Sequence, residues 1–523
     1  MKILSTATVL ALCATSIPMA LADDAASDWP MWGRTPQRNM VGVAEGIPFS
    51  IKPGEINEET GEVDMATTEN VKWVAKLGSQ TYGNPVVGGG RVYIGTNNES
   101  IPDQGLGGDR SLVIALDETN GELIWSLPIP KLGTGKVSDW EYLGICSSPL
   151  YENEVIYFLT NRCEVMAADA AGMANGNQGD DDELTYLAQE GEEKVEPAKP
   201  ELLGDVLWRF DMIDENGVFP HNVTSSSVLK VDDKLYATTS NGMDWSHVNI
   251  PAPLAPSLIC LSKDGEFLAE EAAGISGRLL HANWSSPAYA SFDNKPQVIF
   301  GAGDGFCYGF DPEPVEGPDG WPILKEIWRF DANPPEYRKD EDGEPIRYIN
   351  YEGPSEIIAT PVVYDGLIYI SIGQDPEHGE GLGHLVCIDP KGGEGDISST
   401  HMKWSYKEVG RSISTVSVHD GLVYIGEYNG NLHCLDAKTG EVQWVYDTAS
   451  VIWGSSLVAD GKVFIGNEAG DLVILEAGRE KKMLATINFG APIYSSPIVD
   501  DNVLYVATQT HLYAIADDKT TSE

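Results

Sequence analysis

An all-β, eight-bladed propeller with four-stranded antiparallel blades is the fold this sequence predicts, and three observations predict it. A unit of about 40 residues recurs along the chain. Glycine-containing hairpin dipeptides fall at fixed places inside the unit. The last copy stops one strand short, while a spare strand precedes the first copy.

The clearest unit runs Ser414-Thr415-Val416-Ser417-Val418, then Gly421-Leu422-Val423-Tyr424-Ile425-Gly426. It continues Asn431-Leu432-His433-Cys434-Leu435-Asp436 and ends at Gln443-Trp444. β-branched and aromatic residues alternate with polar ones, as in strands half buried against neighbours. Asp420-Gly421 and Asn429-Gly430 are hairpin turns in which glycine accepts a positive φ. Thr439-Gly440 leads into a fourth strand carrying Trp444, which completes one meander blade. Equivalent inner strands begin near Asn84, Ser147, Ser225, Ser285, Thr360, Ser455 and Ser495. The final copy ends at Leu512-Tyr513-Ala514-Ile515, so Val71-Lys72-Trp73-Val74 is expected to supply its fourth strand and close the ring without a free edge. Seven blades is the less favoured count, because the unit near Ser225 is degenerate. Residues 71–516 then form one propeller domain, with 23–70 an N-terminal arm and 517–523 a tail.

Residues 1–22 read as a secretion signal. Lys2 gives the positive start, Ile3 to Leu12 is largely apolar, and Ala20-Leu21-Ala22 suits signal-peptidase cleavage near Ala22. That stretch is too short and interrupted to span a bilayer, and no other segment is apolar enough to be a transmembrane segment. A periplasmic or secreted location follows. Thirty-four Lys and Arg against eighty Asp and Glu give a net charge of −46, a field that repels nucleic acid and anionic lipid.

Ala115 through Trp125 and Cys434 through Trp444 resemble the tryptophan-docking motif, A-x-D-x-x-T-G-x-x-x-W, of propellers built from pyrroloquinoline-quinone (PQQ) repeats. The resemblance covers about Val71 to Ala516. It implies that Trp125, Trp208, Trp328, Trp404 and Trp444 dock each blade on the next. That family includes quinoprotein alcohol dehydrogenase-like enzymes and BamB-like assembly factors. The whole sequence is similar to PQQ-repeat proteins of planctomycete-type bacteria, whose mature chains also open with an Asp-Trp-Pro segment, here Asp28-Trp29-Pro30.

The loops entering the inner strands and those joining second to third strands share one face, around the mouth of the central channel. The entering positions are Tyr82, Cys146, His221 with Asn222, Trp284, Glu356, Arg411, Trp453 and Tyr494. Aromatics beside a guanidinium, a carboxylate and an imidazole suit a flat, polar, anionic ligand; the same aromatics also suit inter-blade packing. The enlarged second-to-third loops carry Asn97, Asn98, Glu99 and Asp103 in blade 1, Asn241, Asp244 and His247 in blade 3, and Asp375, Glu377, His378 and Glu380 in blade 5. Carboxylates suit calcium and imidazoles a transition metal, although no defined metal motif is present and all these residues also serve turns.

Cys260, Cys387 and Cys434 occupy the third-strand slot held by Ala115, Ala167 and Ala514, which marks them as small hydrophobes. Cys146 and Cys163 fall at one end of blade 2, and a disulfide is expected between them. Two functions stand foremost, and a carbohydrate-binding or carbohydrate-degrading propeller, which draws only on the aromatic rim, ranks below them. One is a binding or assembly scaffold that holds a protein, an extracellular polymer or a small molecule at the rim and funnel. The other is a quinoprotein dehydrogenase using PQQ and Ca2+ on an alcohol or sugar. Against the second, the adjacent cysteine pair and the C-x-x-C-H haem site of many such enzymes are missing, and no catalytic residue can be carried over by motif.

Overall fold

The structure, a computed structural model, describes residues 28–99, 104–189, 191–348, 352–376 and 381–517. The expected signal segment, the start of the arm, Asp103, Glu377, His378, Glu380 and the end of the tail lie outside the described residues.

Eight antiparallel meanders follow one another around a ring. Blades 1 to 8 span residues 86–130, 150–211, 229–271, 288–331, 362–406, 417–447, 457–488 and 498–515. Val71–Lys76 pairs antiparallel with His511–Ile515, placing Trp73 opposite Ala514. The first strand of the fold therefore completes the last blade, as the missing fourth strand required.

One cross-strand layer repeats and explains why the period is so legible. A second-strand tyrosine faces a small third-strand residue, which faces a fourth-strand tryptophan: Tyr93, Ala115 and Trp125 in blade 1, and Tyr424, Cys434 and Trp444 in blade 6. The small residue is needed because two rings close over it; the ring centroids are 6.2 Å and 5.9 Å apart in these blades. Each indole then reaches the next blade. Trp125 Nε1 donates to Ala170 O, Trp208 to Lys263 O, Trp404 to Ala437 O, Trp444 to Gly478 O and Trp73 to Glu118 O. The Trp404 ring lies on the blade 6 turn so closely that a Cβ on Gly440 would sit 2.6 Å from Cε3, and Gly440 also has φ +72°. Glycine in that motif is thus dictated by the neighbour's tryptophan as well as by the turn.

Two features depart from the expected pattern. Trp328 is fully buried but donates to Gln297 Oε1 in its own blade, because the blade 5 turn that would receive it is replaced by Gly395–Asp396, which pairs alongside Trp328. Residues 311–325 of blade 4 also add to a neighbouring sheet: Pro322–Leu324 lies on the outer edge of blade 3, where Glu270 pairs with Ile323.

The arm winds beneath the inner strands and meets the blades in order. Val87 N–H donates to Trp29 O, Tyr151 to Pro30 O, Tyr289 to Pro36 O, Val363 to Gln37 O and Val458 to Met40 O. Arg38, wholly buried, donates to Pro287 O, Trp32 O and Val228 O. Burial pulls its guanidinium down to about 9, still charged at neutral pH, and three carbonyl dipoles replace the lost water. The channel is therefore closed at the end opposite the entering loops.

Candidate functional site: a blind funnel and a histidine-carboxylate rim

Each inner strand contributes one short polar side chain to a stitched ring. Asn84 Nδ2 donates to Ser148 Oγ, Ser148 N to Ser227 Oγ, and Ser227 N to Ser286 Oγ. Thr360 N donates to Thr415 Oγ1, Thr415 N to Ser455 Oγ, Ser455 N to Ser496 Oγ, and Ser496 N to Asn84 Oδ1. The Asn, Ser and Thr residues at the starts of the inner strands are this ring. Inner strands crowd near the axis, so only short side chains fit, and hydroxyls satisfy the backbone that the diverging strands leave unpaired.

Above the ring lies a cavity of about 370 Å³. Trp32 of the arm forms its floor, held by an Nε1 bond to Thr360 Oγ1. Its walls are aromatic. Tyr82 and Tyr494 stack at 4.7 Å with planes 4° apart, and Trp453 meets both edge-on. Trp284 stands across the cavity, with its Nε1 donating to Val223 O at 3.0 Å. Trp140 comes from the long 131–145 connection between blades 1 and 2, pinned by Trp140 N to Asn222 O and Asn222 N to Val137 O. Of the expected ring, Tyr82, Cys146, Asn222, Trp284, Trp453 and Tyr494 line this cavity. Trp32 and Trp140 were not foreseen: both come from segments outside the repeat, where the frame has no place for them.

Arg411 was expected to draw an anionic ligand, but it is turned aside. Its guanidinium stacks on Tyr428 at 4.2 Å and Nη1 donates to Asp375 O. Among the described residues, no Lys or Arg lines the cavity, and Asp375 is the one charged residue in its lining. PQQ is a flat quinone bearing several carboxylates, and this donor set does not fit it. Such a ligand would be buried beside a carboxylate without a counter-charge, which is strongly unfavourable.

The expected Cys146–Cys163 disulfide is also corrected: both are free thiols. Cys163 takes the left-handed turn position, φ 64°, which aims Sγ away at Thr239 O in blade 3, 3.1 Å distant. Cys146 faces the cavity, and burial pushes its thiol up to about 12, so it stays protonated and unreactive at neutral pH.

His221 and Glu356, two other entering residues, point away from the cavity into a cluster shared by blades 3, 4 and 5. Candidate ligand atoms of His221, His247 and His281 lie within 4.8 Å of one another, and so do those of His281, Glu356 and Asp375. Tyr348, from the insertion before blade 5, donates to Asp375 Oδ2 at 2.7 Å and lies 3.1 Å from Glu356 Oε1. Burial first, and then the charge of Asp375, pushes the Glu356 carboxyl well above the usual carboxylate range. The sequence placed His247 and Asp375 in separate loops. The repeat frame does not mark His281, which joins them, because it sits three residues before the ring position, Trp284. Asp244 stays outside the cluster, its carboxylate accepting from Ser246 and Asn249 of its own loop.

Fold and site together define a PQQ-repeat β-propeller whose channel is sealed at one end and opens on a polar rim at the other. A family model described as outer membrane protein assembly factor BamB matches residues 66–244 and 350–446, more than half of the chain, and the chain belongs to that family. No curated protein matches it. Solved structures similar to it include BamB from Moraxella catarrhalis, at 15% identity over 82% of this chain and 96% of that one with a TM-score of 0.46. A quinohemoprotein alcohol dehydrogenase from Comamonas testosteroni is 13% identical over 93% and 80%, TM-score 0.44. A europium-containing methanol dehydrogenase is 12% identical over 94% and 98%, TM-score 0.46. These likenesses bear on neither ligand nor partner. No described helix is long and apolar enough to cross a membrane.

Proposed function

We propose that the chain is an exported binding propeller, not a quinone dehydrogenase, and that its funnel takes the uncharged, polyhydroxylated end of an extracellular glycan. Reading residues 1–22 as a cleaved export signal puts the protein where such polymers are found. The observation that carries the ligand class is the funnel lining: indole and phenol rings of Tyr82, Trp284, Trp453 and Tyr494 above Trp32 and the ring of serine and threonine hydroxyls, with no described cation. Aromatic faces cover the C–H faces of a sugar ring while hydroxyls and amides exchange hydrogen bonds with its O–H groups. A ligand without charge meets neither the desolvation cost nor the repulsion that Asp375 and a net charge of −46 impose on an anion.

Titration of the purified protein with neutral oligosaccharides, read by tryptophan fluorescence and calorimetry, is expected to saturate. Trp453→Ala should weaken binding about tenfold or more, since a buried aromatic contact contributes on the order of 1–2 kcal/mol. PQQ with Ca2+ is the competing probe. Stoichiometric retention of the quinone through desalting, with dye reduction on alcohols, would sink the reading.

A protein partner on the same face is the second reading, favoured by Trp245, Val248 and Leu254, which are 60%, 73% and 96% exposed on the enlarged blade 3 loop. Trp245→Ser with Leu254→Lys should then abolish partner binding and leave the glycan titration unchanged.

A further inference from the structure

We propose that His221, His247 and His281 bind one divalent transition-metal ion at the funnel rim, with Asp375 and Glu356 seated behind His281 to hold its ring.

The three imidazoles come from three loops: the entry to blade 3, the second-to-third loop of blade 3, and the entry to blade 4. Their ring centroids lie 4.4 Å, 5.0 Å and 5.2 Å apart, and candidate donor atoms fall within 4.8 Å of one another. Nitrogens around one tetrahedral ion stand about 3.4 Å apart, given bonds of about 2.0–2.1 Å, so side-chain rotations on the order of an ångström bring them to a common centre.

The protonation pattern favours metal. His221 Nδ1 lies 2.6 Å from Met243 O. A carbonyl only accepts, so the proton is on Nδ1 and the lone pair on Nε2. His281 Nδ1 faces Asp375 Oδ2 at 3.5 Å and Glu356 Oε1 at 3.8 Å, so a proton on that nitrogen would face the two carboxyl groups and leave the lone pair on Nε2. A carbonyl behind one imidazole and a carboxylate behind another is how metal-binding histidines are oriented and made more basic. Tyr348, bonded to Asp375, and Trp284, 5.1 Å from His281, keep the rings from turning.

Three nitrogen donors suit zinc, cobalt, nickel or copper rather than calcium or magnesium, which prefer oxygen. Three protein ligands also leave a coordination position for water, the arrangement of reactive rather than structural sites. Asp375 belongs to both the cluster and the funnel lining, so the ion would stand at the cavity edge. Glu377, His378 and Glu380 lie outside the described residues.

The test is metal retention by the full chain without any other ligand, so its outcome is independent of the glycan titration. After treatment with a chelator, the protein is loaded with Co2+, dialysed, and read by elemental analysis and by the visible d–d bands. About one cobalt per chain is expected, displaceable by Zn2+. His247→Ala, on a partly exposed loop, should abolish retention. Asp375→Asn should weaken it roughly tenfold to a hundredfold, as loss of an orienting carboxylate does. His419→Ala, in blade 6, should change nothing. Circular dichroism melts establish that each variant is folded. A folded wild-type chain that retains no stoichiometric cobalt, or retention that survives His247→Ala, would overturn the proposal.

Discussion

Blades 6 to 8 and blades 3 to 5 share one plan, yet their polar side chains do opposite work. In blades 6 to 8 the second-to-third connections are residues 427–430, 467–470 and 508–510; in blades 3 and 5 they are 239–257 and 373–383. A short turn must satisfy its own backbone. Glu427 accepts from Gly410 N and is bonded by Asn431 and His433 of its own blade, and Asn467 accepts from Asp471 N. A long loop closes its backbone elsewhere and can carry His247 or Asp375 toward other blades. The polar groups of the regular half are therefore structural, and those of the irregular half face one another across blades.

The largest effect that sharpens this contrast lies in the docking layer. Trp444→Ala removes an indole that joins two regular blades and should cost about 3–5 kcal/mol in denaturant unfolding. Trp208→Ala, whose ring is only half-buried, should cost less. Equal costs would mean that the two halves are locked alike.

Two buried glutamates give the next effect, with opposite signs. Burial alone would raise Glu427, but bonds from His433, Asn431 and Gly410 outweigh it and hold its carboxyl below the usual range. Its stabilising contribution is thus present above the unfolded value near 4.5 and lost as pH falls through the lowered folded value. Glu427→Gln should cost about 1.5–3 kcal/mol at neutral pH, the usual size for a hydrogen bond to a charged group, and the gap to wild type should close in acid. Glu271, in blade 3, has backbone N–H partners but no cation close enough to outweigh burial, which pushes it up to about 7. The native state then holds a proton that the unfolded chain releases near 4.5, so stability is full below that value and falls as pH rises through 7. Glu271→Gln should make the protein more stable than wild type above pH 7, by on the order of 2–3 kcal/mol. Stability curves at pH 3, 4, 6 and 8 check both signs.

The smallest effect concerns the thiols. Cys434→Ala replaces one small buried residue by another in the slot that Ala115 fills in blade 1, and should cost no more than about 1.5 kcal/mol. In the native protein, Cys434 should resist alkylation until denaturant is added.

Most of the fold was legible because each element obeys a local rule. Alternation marks the strands, Asp-Gly and Asn-Gly mark the turns, and a repeated small residue marks the slot between Tyr and Trp. Even the ring closure could be read, since a blade short of one strand needs Val71–Lys76. The funnel was half legible. Tyr82, Asn222, Trp284, Trp453 and Tyr494 sit at repeat positions, whereas Trp32 and Trp140 come from segments that obey no period. Arg411 occupies a ring position and still turns away, because stacking on Tyr428 and bonding to Asp375 O hold it better than an open mouth does. The Cys146–Cys163 pairing failed for a related reason: nearness along a blade says nothing about where two Sγ atoms aim.

What the residues alone decide is therefore the blade, its neighbours and their number, since strand period, turn chemistry and docking tryptophans act within about one repeat length. What only the folded ring decides is which loops meet. His221, His247, His281, Glu356 and Asp375 span more than 150 positions of sequence, and they converge because adjacent wedges bring three entering loops and two connecting loops to the same sector of one face. That juxtaposition is a property of closed, radial packing, which no window of the sequence contains.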